Sequence, residues 1–270
     1  VKHLHDRVAV VTGAGSGIGR ATASLLAERG CRLALVDVRP AGIEELAAQL
    51  SATGLDVSTH VADVSDAERM RALADEVEAR HGAVHVLVNN AGVTSAGRFA
   101  DEDLDDLRWI VGINVWGVVH GCTFFLPALR RADEAHIVNL SSMVAFVGLP
   151  QNASYSLTKG AVRSFTEGLR AELAGTSVGV TAVFPGAIHT NIVHSARGAE
   201  AGRLSNLGRS RLAPYVMRPP EAVARQVVRA IERDRARVLV GPDARLLDLF
   251  ARAVPGRTGL LGRVLDRISG

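Results

Sequence analysis

Arg7-Val8-Ala9-Val10-Val11-Thr12-Gly13-Ala14-Gly15-Ser16-Gly17-Ile18-Gly19 is an apolar run that ends on four glycines within seven residues. Beyond it, Ile18 to Arg29 carries Ile18, Ala21, Leu25 and Leu26 at helical spacing. The stretch predicts a strand, a glycine turn and a helix in direct succession. Glycines at such a turn let the backbone approach a ligand closely, while the helix N-terminus offers N–H donors and a partial positive charge. That arrangement suits a pyrophosphate.

The unit repeats along the chain. Strands are predicted at Leu33 to Val36, Thr59 to Ala62, Val84 to Val88, His136 to Leu140 and Val178 to Phe184, with helices at 41–53, 66–80, within 103–131 and at 153–174. The carboxylates from Asp101 to Asp106 stand where the dipole of the long helix favours them. Strands that read as continuous apolar runs between helices mean a parallel sheet covered on both faces. The fold class is therefore α/β: a doubly wound, Rossmann-like parallel sheet in three layers, whose ligands bind beyond the carboxyl ends of the strands. Residues 1–241 make one such domain, with a substrate lid at about 188–214, and 242–270 follow as an amphipathic helical extension.

Composition narrows the function classes. With 270 residues and 47% hydrophobic content the chain can build one large core. The sequence shows no apolar run near the ~20 residues of a membrane span and no signal-peptide pattern at its start, so a soluble, cytoplasmic protein is expected. Cys31 and Cys122 are distant from each other and lie in apolar stretches; buried free thiols are expected, and no metal cluster. The net charge of +3 conceals an asymmetry, because 15 of the arginines fall in residues 197–270 against 7 acids. Solvated arginines explain that balance best, and no nucleic-acid motif accompanies it.

The chain has two tyrosines and two lysines, and one of each stands four apart in Tyr155-Ser156-Leu157-Thr158-Lys159. On a helix this spacing shares one face, where a cation can lower the cost of ionising a phenol. A compact ammonium suits that task better than a guanidinium, and 29 of the 31 basic residues are arginine.

Thr12-Gly13, Gly17 and Gly19 resemble the Thr-Gly-x-x-x-Gly-x-Gly turn of the short-chain dehydrogenase/reductases. The resemblance runs over roughly residues 5–240 in the family's order of motifs, through Asp63-Val64, Asn89-Asn90-Ala91-Gly92, Asn114, Ser142, Tyr155, Lys159 and Pro185-Gly186 with Thr190. It implies hydride transfer between nicotinamide and a secondary alcohol or ketone, with Tyr155 as acid and base, Lys159 supporting it, Ser142 orienting the substrate oxygen and Asn114 holding a relay water. It also implies cofactor contacts at Gly13, Ser16, Gly17, Ile18, Gly19, Asp37, Asp63, Val64, Asn90, Ala91, Gly92, Tyr155, Lys159, Pro185, Gly186, Ile188 and Thr190. Acyl transfer from Ser142 is disfavoured, since no Ser-His-Asp arrangement or nucleophile elbow surrounds it.

Asp37 ends the second strand, where a carboxylate accepts from adenosine ribose hydroxyls and repels a 2′-phosphate, so NAD is expected rather than NADP. Arg39, two residues on, is the dissenting feature. The apolar run Met143 to Pro150 suggests a small apolar alcohol or ketone as substrate. A 3-oxoacyl-thioester reductase is the alternative, and a non-catalytic dinucleotide sensor a further one. His189 and His194 fall on the lid, where exposed positions are expected. In the extension, Leu246, Leu247, Leu249, Phe250 and Ala253 form one apolar set and Leu260, Leu261, Val264, Leu265 and Ile268 a second. These are expected to pack on the body or across the interface of a homodimer or homotetramer, in preference to a membrane surface.

Overall fold

The computed structural model describes residues 1–190, 192, 196–200, 202, 217–257 and 259. Seven strands, β1 (Val8–Thr12), β2 (Arg32–Asp37), β3 (Val57–Val61), β4 (Val86–Asn89), β5 (Ala135–Leu140), β6 (Val178–Pro185) and β7 (Arg237–Val240), form one sheet in the order β3-β2-β1-β4-β5-β6-β7. All six pairings are parallel. The order reverses between β1 and β4, which opens a crevice at their carboxyl ends. The helices are α1 (Gly17–Glu28), α2 (Pro40–Ser51), α3 (Ala67–His81), α4 (Leu104–Val111), α5 (Gly117–Arg131), α6 (Ala153–Glu172), α7 (Pro220–Glu232) and α8 (Pro242–Ala253). One apolar cluster packs Leu26 and Ala27 of α1 with Val223, Val227 and Ile231 of α7 beneath the sheet. The other packs Met70, Leu73 and Val77 of α3 with Phe125 and Leu129 of α5 above it. The three layers follow.

Three expectations change. The helix predicted within 103–131 is two helices joined by a π turn, Gly112–Trp116, in which Gly117 N–H bonds to the Gly112 carbonyl. The run Leu104–Arg131 is long and apolar enough to cross a bilayer by length and composition alone, yet α5 packs on β4, β5 and α3. In α1 Ile18, Leu25 and Leu26 of the expected inward set Ile18, Ala21, Leu25 and Leu26 pack on the core, while the fully buried face is Gly19, Thr22, Ala23, Leu26 and Ala27 and Ala21 sits at its flank.

The third change concerns α8. Ala244 is its buried residue, and Leu247, Asp248 and Ala251 continue that seam at helical spacing, while Leu246, Leu249 and Ala253 face outward. The first apolar set thus straddles two sides of the helix, because the contacting seam is narrower than the apolar composition. The second set, Leu260 to Ile268, lies outside the described residues, as do His194 and most of the lid. His189 is exposed, and Cys31 and Cys122 are buried free thiols.

His136 on β5 is buried and shares a 2.7 Å hydrogen bond between Nε2 and Thr181 Oγ1. Burial pushes its pKa down to about 3, with Asp234 opposing. An unfolded chain takes up this proton near the ordinary value of about 6.5 and the folded one does not. Stability therefore falls as pH drops below that value, with His136 adding a slope of up to about 1.4 kcal/mol per pH unit. Urea midpoints measured at neutral and mildly acid pH should converge in His136→Asn relative to the unmodified chain; an unchanged slope would remove His136 as the cause.

Candidate active site

A cavity of about 480 Å³ runs along the carboxyl edge of the sheet, walled by the segments that leave β1 to β6. At one end lies the glycine turn. Gly13 (φ +65°) and Gly17 (φ +52°) adopt left-handed backbone that side chains rarely take, and both line the cavity with Ser16 and Ile18. α1 starts there with no acid in its first turn, and its N-cap Ser16 makes no side-chain capping bond. The turn thus offers N–H groups and a positive helix end to an anion. Gly19 does not line the cavity. It is buried behind the turn, where a β-carbon would overlap the Gly13 carbonyl and Asn90 Nδ2. Its part is to let α1 close on the strand.

Asp37 lines the same end, buried, with Oδ2 accepting from Gly15 N–H at 3.0 Å and Oδ1 from Arg39 N–H at 3.0 Å. Val38 and Arg39 line the cavity beside it, with their side chains exposed. Asp63 and Val64 follow β3 on the adjoining wall. Asn90 ties the floor together: its Nδ2 donates to the Thr12 carbonyl at 2.9 Å and the Gly13 carbonyl at 3.2 Å. Thr12 Oγ1 in turn accepts from the Asn90 and Ala91 N–H groups, each at 3.0 Å.

At the far end Ser142, Tyr155 and Lys159 converge, and Pro185, Gly186, Ile188 and Thr190 line the wall that leads back to the glycine turn, where the Thr190 side chain stands 3.4 Å from the position a Gly17 β-carbon would take. α6 begins at Ala153, so Tyr155 sits in its first turn and Lys159 one turn on, on the same face. The Ser142 hydroxyl, which accepts from Val144 N–H at 3.5 Å, stands beside the phenol and favours its ionised form. Lys159 Nζ donates to the Leu140 carbonyl at 2.9 Å and lies 5.8 Å from the Tyr155 ring centroid. Burial pushes Tyr155 up to about 12, against the pull of the Ser142 hydroxyl, and pushes Lys159 down to about 8. The expected lowering of the phenol by the ammonium is thus outweighed within the protein: desolvation acts on both groups, and the cation is held by a carbonyl rather than by the phenol oxygen.

Asn114 lies behind this cluster in the π turn, fully buried. Its Nδ2 donates to the Val93 carbonyl at 2.9 Å and to Thr158 Oγ1 at 3.1 Å, and its Oδ1 accepts from Val93 N–H at 2.8 Å. The side chain locks α6 to the segment after β4 and does not line the cavity.

The short chain dehydrogenase model matches residues 7–201. The chain is a short-chain dehydrogenase. It is 38% identical over 251 residues to the putative oxidoreductase SadH of Mycobacterium tuberculosis, covering 92% of this chain and 91% of that protein. The C alpha-dehydrogenase of a Sphingobium strain is 35% identical over 199 residues, 73% of this chain and 65% of the relative. A crystal structure of a short-chain dehydrogenase/reductase from Burkholderia phymatum in complex with NAD superposes with a TM-score of 0.84 at 32% identity, covering 93% of this chain and 94% of that one. This dehydrogenase has the family's dinucleotide-binding fold and is an oxidoreductase.

No residue of the apolar run Met143 to Pro150 lines the cavity. Val144 and Val147 of the run Met143 to Pro150 turn into the core, and Phe146 packs on Phe184 with ring centroids 4.5 Å apart. These side chains cover β6 and are consumed by packing. Val93, Trp109, Ile113 and Ile192 line the cavity instead. Trp109 and Ile113 stand four apart just before Asn114, a spacing that could have flagged them as one helical face. The Arg197 guanidinium lies 4.1 Å over the Trp109 ring and 3.3 Å from Asp106.

Proposed function

We propose that the protein transfers hydride between NAD and a secondary alcohol or ketone of apolar character, with Tyr155 exchanging the proton. The observation that carries this reading is the single cavity that joins the glycine turn and Asp37 at one end to Ser142 and Tyr155 at the other. The donor set fits a nicotinamide dinucleotide: N–H groups at the start of α1 for a pyrophosphate, Asp37 for ribose hydroxyls, and Lys159 with the Pro185–Thr190 segment for the nicotinamide end. Bound there, such a cofactor supplies the hydride donor or acceptor.

The chain's own residues handle the proton and the geometry. Ser142 orients the substrate oxygen against the Tyr155 hydroxyl, which gives its proton during reduction and takes one during oxidation. Lys159 holds positive charge beneath that site and offers its N–H groups to a ribose. The Asn114 side chain fixes the positions of Val93 and Thr158, so any water it relays is held beside those bonds. Val93, Trp109, Ile113 and Ile192 exclude water and select an apolar substrate. Exposed Leu104, Trp116 and Leu157 support a homo-oligomer, and the reading places it in the cytoplasm.

The pKa directions set an expected pH dependence. Reduction needs a protonated phenol and a charged ammonium; with Tyr155 up at about 12 and Lys159 down at about 8, both conditions hold below pH 8 and the second is lost above it. Ketone reduction should therefore be level through neutral pH and decline above about 8, while alcohol oxidation rises with pH. Initial rates in both directions across pH check this; a reductive rate that rises from neutral to alkaline pH would contradict the assignment. Oxidation of a panel of secondary alcohols with NAD, run beside reduction of 3-oxoacyl thioesters, tests the function. Turnover confined to thioesters would transfer the assignment to the alternative.

A further inference from the structure

We infer that Asp243, in the first turn of α8, positions the segment Pro185–Thr190 and thereby couples the C-terminal helix to the nicotinamide end of the cavity; this rests on the cofactor reading above. The segment is held by its backbone. Gly186 N–H donates to the Val240 carbonyl at 2.9 Å, and His189 N–H to the Arg218 carbonyl at 2.9 Å, while Arg218 N–H returns a 2.9 Å bond to the Ala187 carbonyl. Between these, Ala187 N–H donates to Asp243 Oδ2 at 2.6 Å. Asp243 is the one side chain in this set, placed between Gly186 and Ile188, both of which line the cavity.

The approach is too close to be incidental. A β-carbon at Gly186 or at Gly241 would overlap the Asp243 carboxylate, and Gly241 (φ +111°) makes the abrupt turn that starts α8 directly after β7. Pro242 opens the helix, and the carboxylate in its first turn is favoured by the helix dipole. Farther along α8, Asp248 pairs with Arg237 Nη2 at 2.5 Å, and the Arg237 guanidinium lies 4.6 Å over the Phe146 ring and 5.2 Å over Phe184. Phe146 stands four residues after Ser142. One helix therefore braces both the cofactor-facing segment and the loop that carries the substrate-orienting serine.

Titration of the full chain with NADH and, separately, with ADP-ribose tests this, because ADP-ribose lacks the nicotinamide. Asp243→Ala should weaken NADH at least tenfold, about 1.4 kcal/mol, and leave ADP-ribose within twofold. Asp243→Asn keeps an oxygen for Ala187 N–H and should restore most of the NADH affinity. Equal loss of both ligands, loss that tracks a fall in melting temperature in both variants, or no loss at all would overturn the inference. A wild-type chain that binds neither ligand would overturn the cofactor reading itself, and does so before any variant is compared.

Discussion

Tyr155→Phe is expected to lower kcat by about 10²- to 10⁴-fold in both directions, the range a positioned acid or base contributes. The substitution removes one oxygen and leaves the ring that packs beneath the cavity. Affinity for NADH and the melting temperature should therefore stay close to wild type. A phenol pushed up to about 12 holds its proton at neutral pH, so reduction should lose its acid outright. Steady-state kinetics alongside NADH titration separates the outcomes. Retention of most of kcat would remove Tyr155 from the chemistry; a parallel loss of NADH binding would make it a packing residue. Lys159→Arg is a useful companion, since the buried ammonium bonded to the Leu140 carbonyl occupies a space that a planar guanidinium cannot share.

The second large effect concerns the cofactor's other end. Two like charges about 4 Å apart cost on the order of 4 kcal/mol at the effective dielectric of a protein surface. If Asp37 stood that close to a 2′-phosphate, kcat/KM for NAD would exceed that for NADP by about 10²- to 10³-fold. Asp37→Asn should collapse most of that ratio, chiefly through a gain with NADP, because the amide oxygen can still accept from the turn. Asp37→Ala should also lose NAD, since the carboxylate accepts from both Gly15 and Arg39 N–H groups and so holds the glycine turn in shape. Kinetics with both cofactors on the two variants decides. A wild-type enzyme that prefers NADP, with Arg39→Ala reversing the preference, would assign the selection to Arg39, which lines the cavity beside Asp37.

The run from Val8 to Gly19 was readable because its signals are local. A buried parallel strand shows as unbroken apolar residues, and a turn with left-handed backbone shows as glycine. The same holds for the Tyr155 and Lys159 pair, whose common face follows from helical spacing once α6 is predicted. Strand alternation with helices then carried the doubly wound sheet, with Asn90 and Ser142 just past the end of a strand and Asp37 at the last residue of one.

What stayed hidden depends on which distant surfaces meet. The π turn at Gly112–Trp116 has no local sequence sign; it exists because Asn114 reaches across to bond Val93 and Thr158. The run Met143 to Pro150 is apolar by composition, and only the packing of Phe146 on Phe184 reveals that its aromatic side chain serves the core, while Trp109, Ile113, Val93 and Ile192 line the cavity. The Tyr155 and Lys159 shifts were hidden for a related reason: residue types set which charges are available, while burial and a carbonyl nineteen residues away from Lys159 decide how far each is desolvated. Asp243 is the plainest case. In the sequence it is an acid after a proline, and its bond to Ala187 arises only because β6 and β7 lie side by side and end together. Local chemistry along the chain therefore determined the fold and the groups proposed to react, whereas the walls, braces and electrostatic balance of the cavity required the three-dimensional arrangement, because they come from residues far apart in sequence that share one small volume.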